Sequence, residues 1–441
     1  AIITLTSSAQ TDNKIIIGNV DSVYSTVLKE KRKVWVYVPN MNSGMQNAGQ
    51  RFPVLYLLDG DAHFQSVSGM IQQLSQVNGN TICPEMIVVG IPNTDRTRDL
   101  TPTHIKSDLP MMDSNSTKTT GGGENFAAFL EKELIPHIDS LYPTQPFRLL
   151  VGHSFGGLTV MNILTNHTKL FNAYVAIDPS MWYDKEQFLK TTQKKLSSQK
   201  YNGTSLYVGI ANTMAEGMTL EKMKKDTSSD TRHIRSIFAM DKFIKSNPQN
   251  GLKYASKYYG DDDHGSVPMI SEYDGLRFIF SWYRLKLSPS DFMSPGTALV
   301  EKMKKHYQAV SKEMGFKVSP PEMSINGLGY FALSQKQYEK AVALFEMNIE
   351  NYPQSGNTYD SYADALIAKK DTAAAITNYK KAFAITKSED TKQKLDKLLG
   401  NPTFTVNPKE LEKYVGAFEF EGISLIATTS IKENALWVSA P

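Results

Sequence analysis

At 441 residues, with 41% hydrophobic and 21% charged positions, the chain has the composition of a soluble globular protein. Its length suits roughly two to four domains of ~100–200 residues. Lys and Arg total 48 against 45 Asp and Glu, a formal charge of +3 that gives no electrostatic footprint for nucleic acid or an anionic membrane. No run approaches the ~18 apolar residues of a membrane span, and the single cysteine, Cys83, excludes an intrachain disulfide and reads as a small buried hydrophobe.

The opening AIITLTSSAQ reads as the end of an apolar signal-peptide core with a small-x-small site, Ser7 and Ala9 preceding Gln10. Residues 1–13 are therefore expected to be a leader remnant, and the protein periplasmic or secreted. The other reading, an ordinary disordered start or first strand, would leave it cytoplasmic.

From Ile15 to Leu287, strand-length apolar runs alternate with helical patterns. Strands are expected at Lys33–Val38, Pro53–Leu58, Met86–Ile91, Phe147–Val151, Tyr174–Ile177, Ser205–Ile210 and Lys253–Tyr259. Between them, Asn125–Leu141 carries Phe126, Phe129, Leu130 and Leu134 at helical spacing. Near-continuous apolar strands joined through helices predict an α/β domain over 14–287, with a mostly parallel sheet covered on both faces.

Composition changes after Leu287. A Ser/Pro-punctuated linker, 288–321, contains a helical stretch at Thr297–Lys312. Then Ile325, Leu328, Gly329, Ala341, Phe345 and Pro353 fit the tetratricopeptide framework, and Tyr359, Tyr362, Ala363, Ala375 and Tyr379 repeat its first five positions 34 residues later. The region 322–400 is read as two helix-turn-helix repeats, against the plainer reading of two generic hairpins. Two repeats are few to stand alone. Residues 322–400 are thus expected to lean on the first domain, on the helices at 297–312 and 389–399, or on another subunit or protein partner. The tail 401–441 reads as a small β-unit with strands at Tyr414–Phe420, Ile423–Thr429 and Ala435–Val438, and its stop at Pro441 suggests a larger β-domain cut short.

The strongest chemical motif is Gly152-His153-Ser154-Phe155-Gly156, a G-x-S-x-G between the strand Phe147–Val151 and a helix at Leu158–Leu164. In that context Ser154 is the expected nucleophile, exposed on a sharp turn whose glycines leave room and whose following helix points amides at a developing oxyanion. Phe155 N–H is one expected oxyanion donor. Asp61 N–H, in the loop after Pro53–Leu58, is the other. A base should follow downstream. His264, in a polar loop directly after Lys253–Tyr259, is favoured over His233 and His306, which fall in helical patterns and read as surface or packing histidines. Asp261, Asp262 and Asp263 read as turn residues, and no metal-ligand spacing stands out there. The acid is expected in the loop after Ser205–Ile210, with Glu216 first and Asp226, Asp230, Asp241 or a Ser-His dyad as alternatives.

Taken together, Leu57–Asp61, Asn93–Pro102, Gly121–Phe126, Gly152–Gly157, Asp178–Trp182 and Asp263–Pro268 resemble the putative-esterase branch of the α/β-hydrolases, which includes esterase D and the enterochelin esterases. The resemblance covers about residues 14–287. It implies ester hydrolysis of a small-molecule substrate by Ser154 and His264 with no metal or organic cofactor. Arg96 and Arg98 are expected either to steer an anionic substrate group or to anchor their loop by ion pairs. Trp182 and Tyr183 are expected to line the pocket or to pack in the core. Siderophore trilactones, feruloyl or acetyl groups on polysaccharide, and peptide-like amides are the rival substrates. A reading of another class makes the first domain a non-catalytic platform whose repeats bind a protein partner.

Overall fold

The computed structural model describes residues 15–39, 50–106, 117–401, 408–419, 426–432 and 435–439. The expected leader, 1–13, lies outside them. Two compact units result: Ala1–Lys286 with His306–Val318, and Leu287–Lys305 with Ser319–Pro441. No described helix is long and apolar enough to cross a membrane.

The first unit is built on β1 (Asn19–Ser25), β2 (Glu30–Tyr37), β3 (Phe52–Leu58), β4 (Ile87–Ile91), β5 (Thr144–His153), β6 (Ala173–Ile177), β7 (Ser205–Ala211) and β8 (Lys253–Tyr259). They form one sheet in the order β1-β2-β4-β3-β5-β6-β7-β8. β2 pairs antiparallel with β1 and with β4, and every later pairing is parallel. The seven expected strands all appear. β1 was not anticipated, because its sequence NVDSVYS has no continuous apolar run and most of it is only half-buried or exposed.

Side-chain alternation explains why the central strands read as unbroken apolar runs. Val54, Tyr56 and Leu58 of β3 enter the core on one face of the sheet, while Leu55 and Leu57 enter the core on the other. The same split divides Tyr174 and Ala176 of β6 from Ala173, Val175 and Ile177. Each Val, Leu or Ile buried in this way stabilises by about 1.5–3 kcal/mol. Cys83 is buried among them, as expected. The helices that matter for function are α1 (Gly60–Ser75), α2 (Phe155–Asn166), α3 (Arg232–Lys245) and α4 (Val267–Ile279). The expected Asn125–Leu141 helix runs instead from Gly123 and loosens into a π-turn at Leu130–Leu134. The run of parallel strands brings the carboxyl ends of β3, β5, β6, β7 and β8 to a single edge, where ligands of open α/β sheets bind.

In the second unit, α5 (Glu322–Ser334), α6 (Tyr338–Asn351), α7 (Gly356–Ala368) and α8 (Thr372–Thr386) form two successive helix pairs, followed by α9 (Glu389–Leu399). Burial repeats with the 34-residue period. Ile325 and Tyr359, Gly329 and Ala363, Ala341 and Ala375, and Phe345 and Tyr379 are buried, whereas Leu328 and Tyr362 are half-buried. The turns repeat as well, with Lys336 and Lys370 both in the left-handed region at φ 57° and 66°. A Cβ at Gly329 would stand 2.4 Å from the Phe345 ring, so the approach of α5 to α6 requires glycine. Lys394 docks α9 onto α7 through Asp360 (2.5 Å) and Asp364 (2.9 Å). A short antiparallel sheet of β9 (Gly416–Glu419), β10 (Ile426–Lys432) and β11 (Ala435–Ser439) closes the chain.

Candidate active site

Ser154 sits between β5 and α2 with φ 61° and ψ −114°, a backbone conformation that costs a non-glycine residue about 1–3 kcal/mol. The surroundings hold it there. Ser154 N–H donates to the Ile177 carbonyl (2.9 Å), and the Ser154 carbonyl accepts from Ser180 (3.2 Å) and Leu158 (2.9 Å). A Cβ on Gly152 would meet the Gly156 backbone at 2.5 Å, so the turn closes only over glycine. The Ser154 hydroxyl lies 3.5 Å from Ser180 Oγ. Phe155 begins α2 and Asp61 lies in the first turn of α1, where amides lack partners within their own helix. The Asp61 carboxylate is turned to Asn93, accepting from its side chain at 3.1 Å.

His264 follows β8 as expected, and its Nδ1 lies 2.6 Å from Asp178 Oδ2. Asp178, directly after β6, is fully buried. Its Oδ1 accepts from Ala211 N–H at the end of β7 (3.0 Å), and its own N–H donates to Gly209 O (2.8 Å). Burial opposes the charged form, but hydrogen bonds from His233 and His264, the nearness of His233 and the Ala211 amide outweigh it and hold the Asp178 carboxyl well below the usual carboxylate range. The His153 ring packs 4.4 Å from that of His264. Burial, with His264 nearby, pushes His153 down to about 4, so it faces His264 uncharged near neutral pH.

The carboxylate that meets His264 is therefore Asp178 and not the expected Glu216. Glu216 is exposed and makes no bond to His264, whose Nδ1 is held by Asp178. Among the alternatives, Asp226 caps its own turn through Ser228 and Thr231, and Asp241 accepts from Tyr254 and Lys245. Asp230 lines the cavity without touching His264. The carboxylate sits one strand earlier than the loop in which it was sought. The available signal was an Asp placed directly after an apolar strand and followed by Pro179. His233, expected to be a surface or packing histidine, instead places its Nε2 2.7 Å from the same Asp178 Oδ2. His306 is a packing residue, bound to the Tyr283 carbonyl at 3.0 Å.

Arg96 and Arg98 are held internally, and neither lines the cavity. Arg96 grips Asp59 with Nε (2.6 Å) and Nη2 (3.0 Å), reaches the His153 carbonyl and covers the Phe155 ring at 5.5 Å. Arg98 bonds Glu30 and Asp99. These are the loop-anchoring ion pairs rather than an open anion clamp, and Arg96 also ties its loop to the elbow residues His153 and Phe155. Asp263 is a turn residue, accepting from the Gly265 and Ser266 amides, and Asp262 accepts from Ser266 Oγ. Trp182 lines the cavity, while Tyr183 is buried with its hydroxyl on the Thr103 carbonyl.

The cavity has a volume of about 700 Å³ and joins Ser154, Phe155, Trp182, Met214, His233 and His264 in one space, its wall combining aromatic and apolar side chains with polar ones such as Ser180, Asn212 and Thr213. Asp178 Oδ2, His233 Nε2 and His264 Nδ1 form a donor set within 4.8 Å that a metal ion could use. At 2.6 and 2.7 Å the contacts are hydrogen-bond lengths, shorter than the about 3.3 Å that separates ligand atoms around a tetrahedral zinc.

The Putative esterase family matches residues 25–242. The IroE-like serine hydrolase of Shewanella oneidensis is 30% identical, with a TM-score of 0.63 over 76% of this chain and 99% of its own. An uncharacterised protein from Capnocytophaga ochracea shares the fold over 87% of this chain and 99% of its own, at 17% identity and a TM-score of 0.58. The ferri-bacillibactin esterase BesA of Bacillus subtilis is 28% identical over 210 residues, 46% of this chain and 72% of the relative. With the sheet order and the relatives agreeing, the chain belongs to the Putative esterase family and is an esterase, a carboxylic ester hydrolase.

Proposed function

We propose that this esterase works through an acyl-enzyme on Ser154, with His264 as general base and acid and Asp178 orienting its ring. The observation that carries the reading is the 2.6 Å bond from His264 Nδ1 to a buried carboxylate, made by a histidine that shares its cavity with the elbow serine. Donating Nδ1–H to Asp178 leaves the Nε2 lone pair to take the Ser154 proton. Ser154 Oγ attacks the ester carbonyl, and the amides of Phe155 and Asp61 receive the oxyanion. Collapse breaks the bond to the alcohol oxygen, which leaves with the proton from Nε2. Water, deprotonated by the same nitrogen, then attacks the acyl group and releases the acid and free Ser154.

The test is labelling by a fluorophosphonate and hydrolysis of short-chain aryl esters. Both are expected for the native chain, and both are lost in Ser154→Ala, with turnover falling on the order of 10⁶-fold. Undiminished hydrolysis by that variant sinks the assignment. The natural substrate is read as a siderophore-type ester, a reading supported by the ferri-bacillibactin esterase among the relatives and by a cavity with both aromatic and polar walls. Comparing kcat/KM for trilactone, feruloyl, acetyl and amide substrates tests it, and a preference for any of the last three overturns it.

A further inference from the structure

His233 has no part in the proton transfers above, yet it is built into the site. It lies on the first turn of α3, lines the cavity with Ser154 and His264, and is only 17% exposed at its side chain. Its Nε2 shares the single oxygen Asp178 Oδ2 with His264 Nδ1, at 2.7 and 2.6 Å, and the two rings meet edge to face at 5.2 Å. Asp178 Oδ1 is already taken by the Ala211 amide. A carboxylate oxygen is an acceptor only, so each neutral imidazole must present an N–H to it. The tautomers are thereby fixed together, with His264 protonated on Nδ1 and His233 on Nε2.

We propose that His233 is a positioning residue that, with the Ala211 amide, clamps Asp178 and divides its charge between two imidazoles, so that Asp178 orients His264 while drawing less of a proton onto it. The proposal rests on the acyl-enzyme reading and extends it. A carboxylate serving one histidine stabilises that imidazolium fully, whereas a shared one stabilises it less and keeps the base unprotonated to lower pH. The surrounding ionisable groups are Asp178, buried against both rings, Asp230, Asp263 and His264 along the cavity, His153 packed on His264, and Arg232 and Arg235 on the same helix. Arg235 is engaged by Thr231 Oγ1 and the Ser228 carbonyl.

The test compares His233→Leu, which removes the donor, with His233→Gln, whose side-chain amide can still donate to Asp178. In the leucine variant kcat is expected to fall roughly tenfold or more with a smaller change in KM, and the acid limb of kcat/KM is expected to move to higher pH. The glutamine variant recovers most of the rate. A rate loss in His233→Leu with an unmoved acid limb, or equal loss in both variants, overturns the proposal. The ring titration of His264 followed by NMR in the full chain gives a readout independent of turnover: its midpoint rises in the leucine variant, and an unchanged midpoint overturns the clamp even if both variants are inactive. Fluorophosphonate labelling of Ser154 in the native chain separately decides the acyl-enzyme reading, so the two can fail apart.

Discussion

Replacing Asp178 by Asn changes one atom and reverses the hydrogen-bond logic of the site. The side chain is fully buried between fixed partners, so the new amide has one favourable orientation. Ala211 N–H still points at the Oδ1 position and requires an acceptor there, which puts the amide NH₂ at the Oδ2 position. That group donates, and both His264 Nδ1 and His233 Nε2 must become acceptors to meet it. His264 then carries its proton on Nε2 and has no lone pair for Ser154. A wrong-tautomer defect of this kind lowers kcat by about 10⁴-fold, equivalent to about 5.5 kcal/mol in the barrier. The assay is kcat on a short-chain aryl ester across pH 5–9, beside the fluorophosphonate labelling rate and a thermal melt. The folded-state pKa of Asp178 is depressed, so its ionisation stabilises the native state above the unfolded carboxyl range, and this is lost as pH falls through the folded value. Between pH 5 and 9 the ionisation of Asp178 itself therefore adds no pH dependence to the stability difference from wild type. Asp178→Asn retaining activity within tenfold of wild type would refute the reasoning.

Ser154→Gly should lose labelling and hydrolysis yet melt above Ser154→Ala, because glycine relieves the φ of 61°; a lower melting temperature than the alanine variant contradicts the strain argument. Glu216→Gln should leave kcat/KM within about twofold, as expected of an exposed surface change. Glu272 is buried, its Oε2 has no hydrogen-bond partner, and burial pushes its carboxyl up to about 8. A raised folded value means stability is fully present below the unfolded pKa and is lost as pH rises towards about 8, on the order of 1 kcal/mol per unit. Glu272→Gln should therefore gain on wild type in denaturant midpoint from pH 5 to 8, and parallel profiles would count against the assignment.

Periodicity, strand-length apolar runs and the G-x-S-x-G context were enough to read the α/β sheet, the helical region and the elbow at Ser154, because each is encoded by neighbours in sequence. The alternation of β3 and β6 side chains between two cores is what made those strands legible. β1 was missed because it is mostly uncovered and has no apolar run. Which carboxylate meets His264 is a matter of which loops converge at the sheet edge. Asp178, His233 and His264 are separated by 55 and 86 residues from Asp178 onward, and only the parallel pairing of β6, β7 and β8 brings them to one oxygen. The same holds for Arg96, whose exposure or burial no local pattern records until Asp59 turns to meet it. Sequence thus determined the strained elbow at Ser154 and the scaffold that presents it, through short-range spacing and backbone sterics. The carboxylate that meets His264, the second histidine beside it and the fate of the arginines were decided by tertiary structure, because hydrogen-bond partners are chosen by proximity in space.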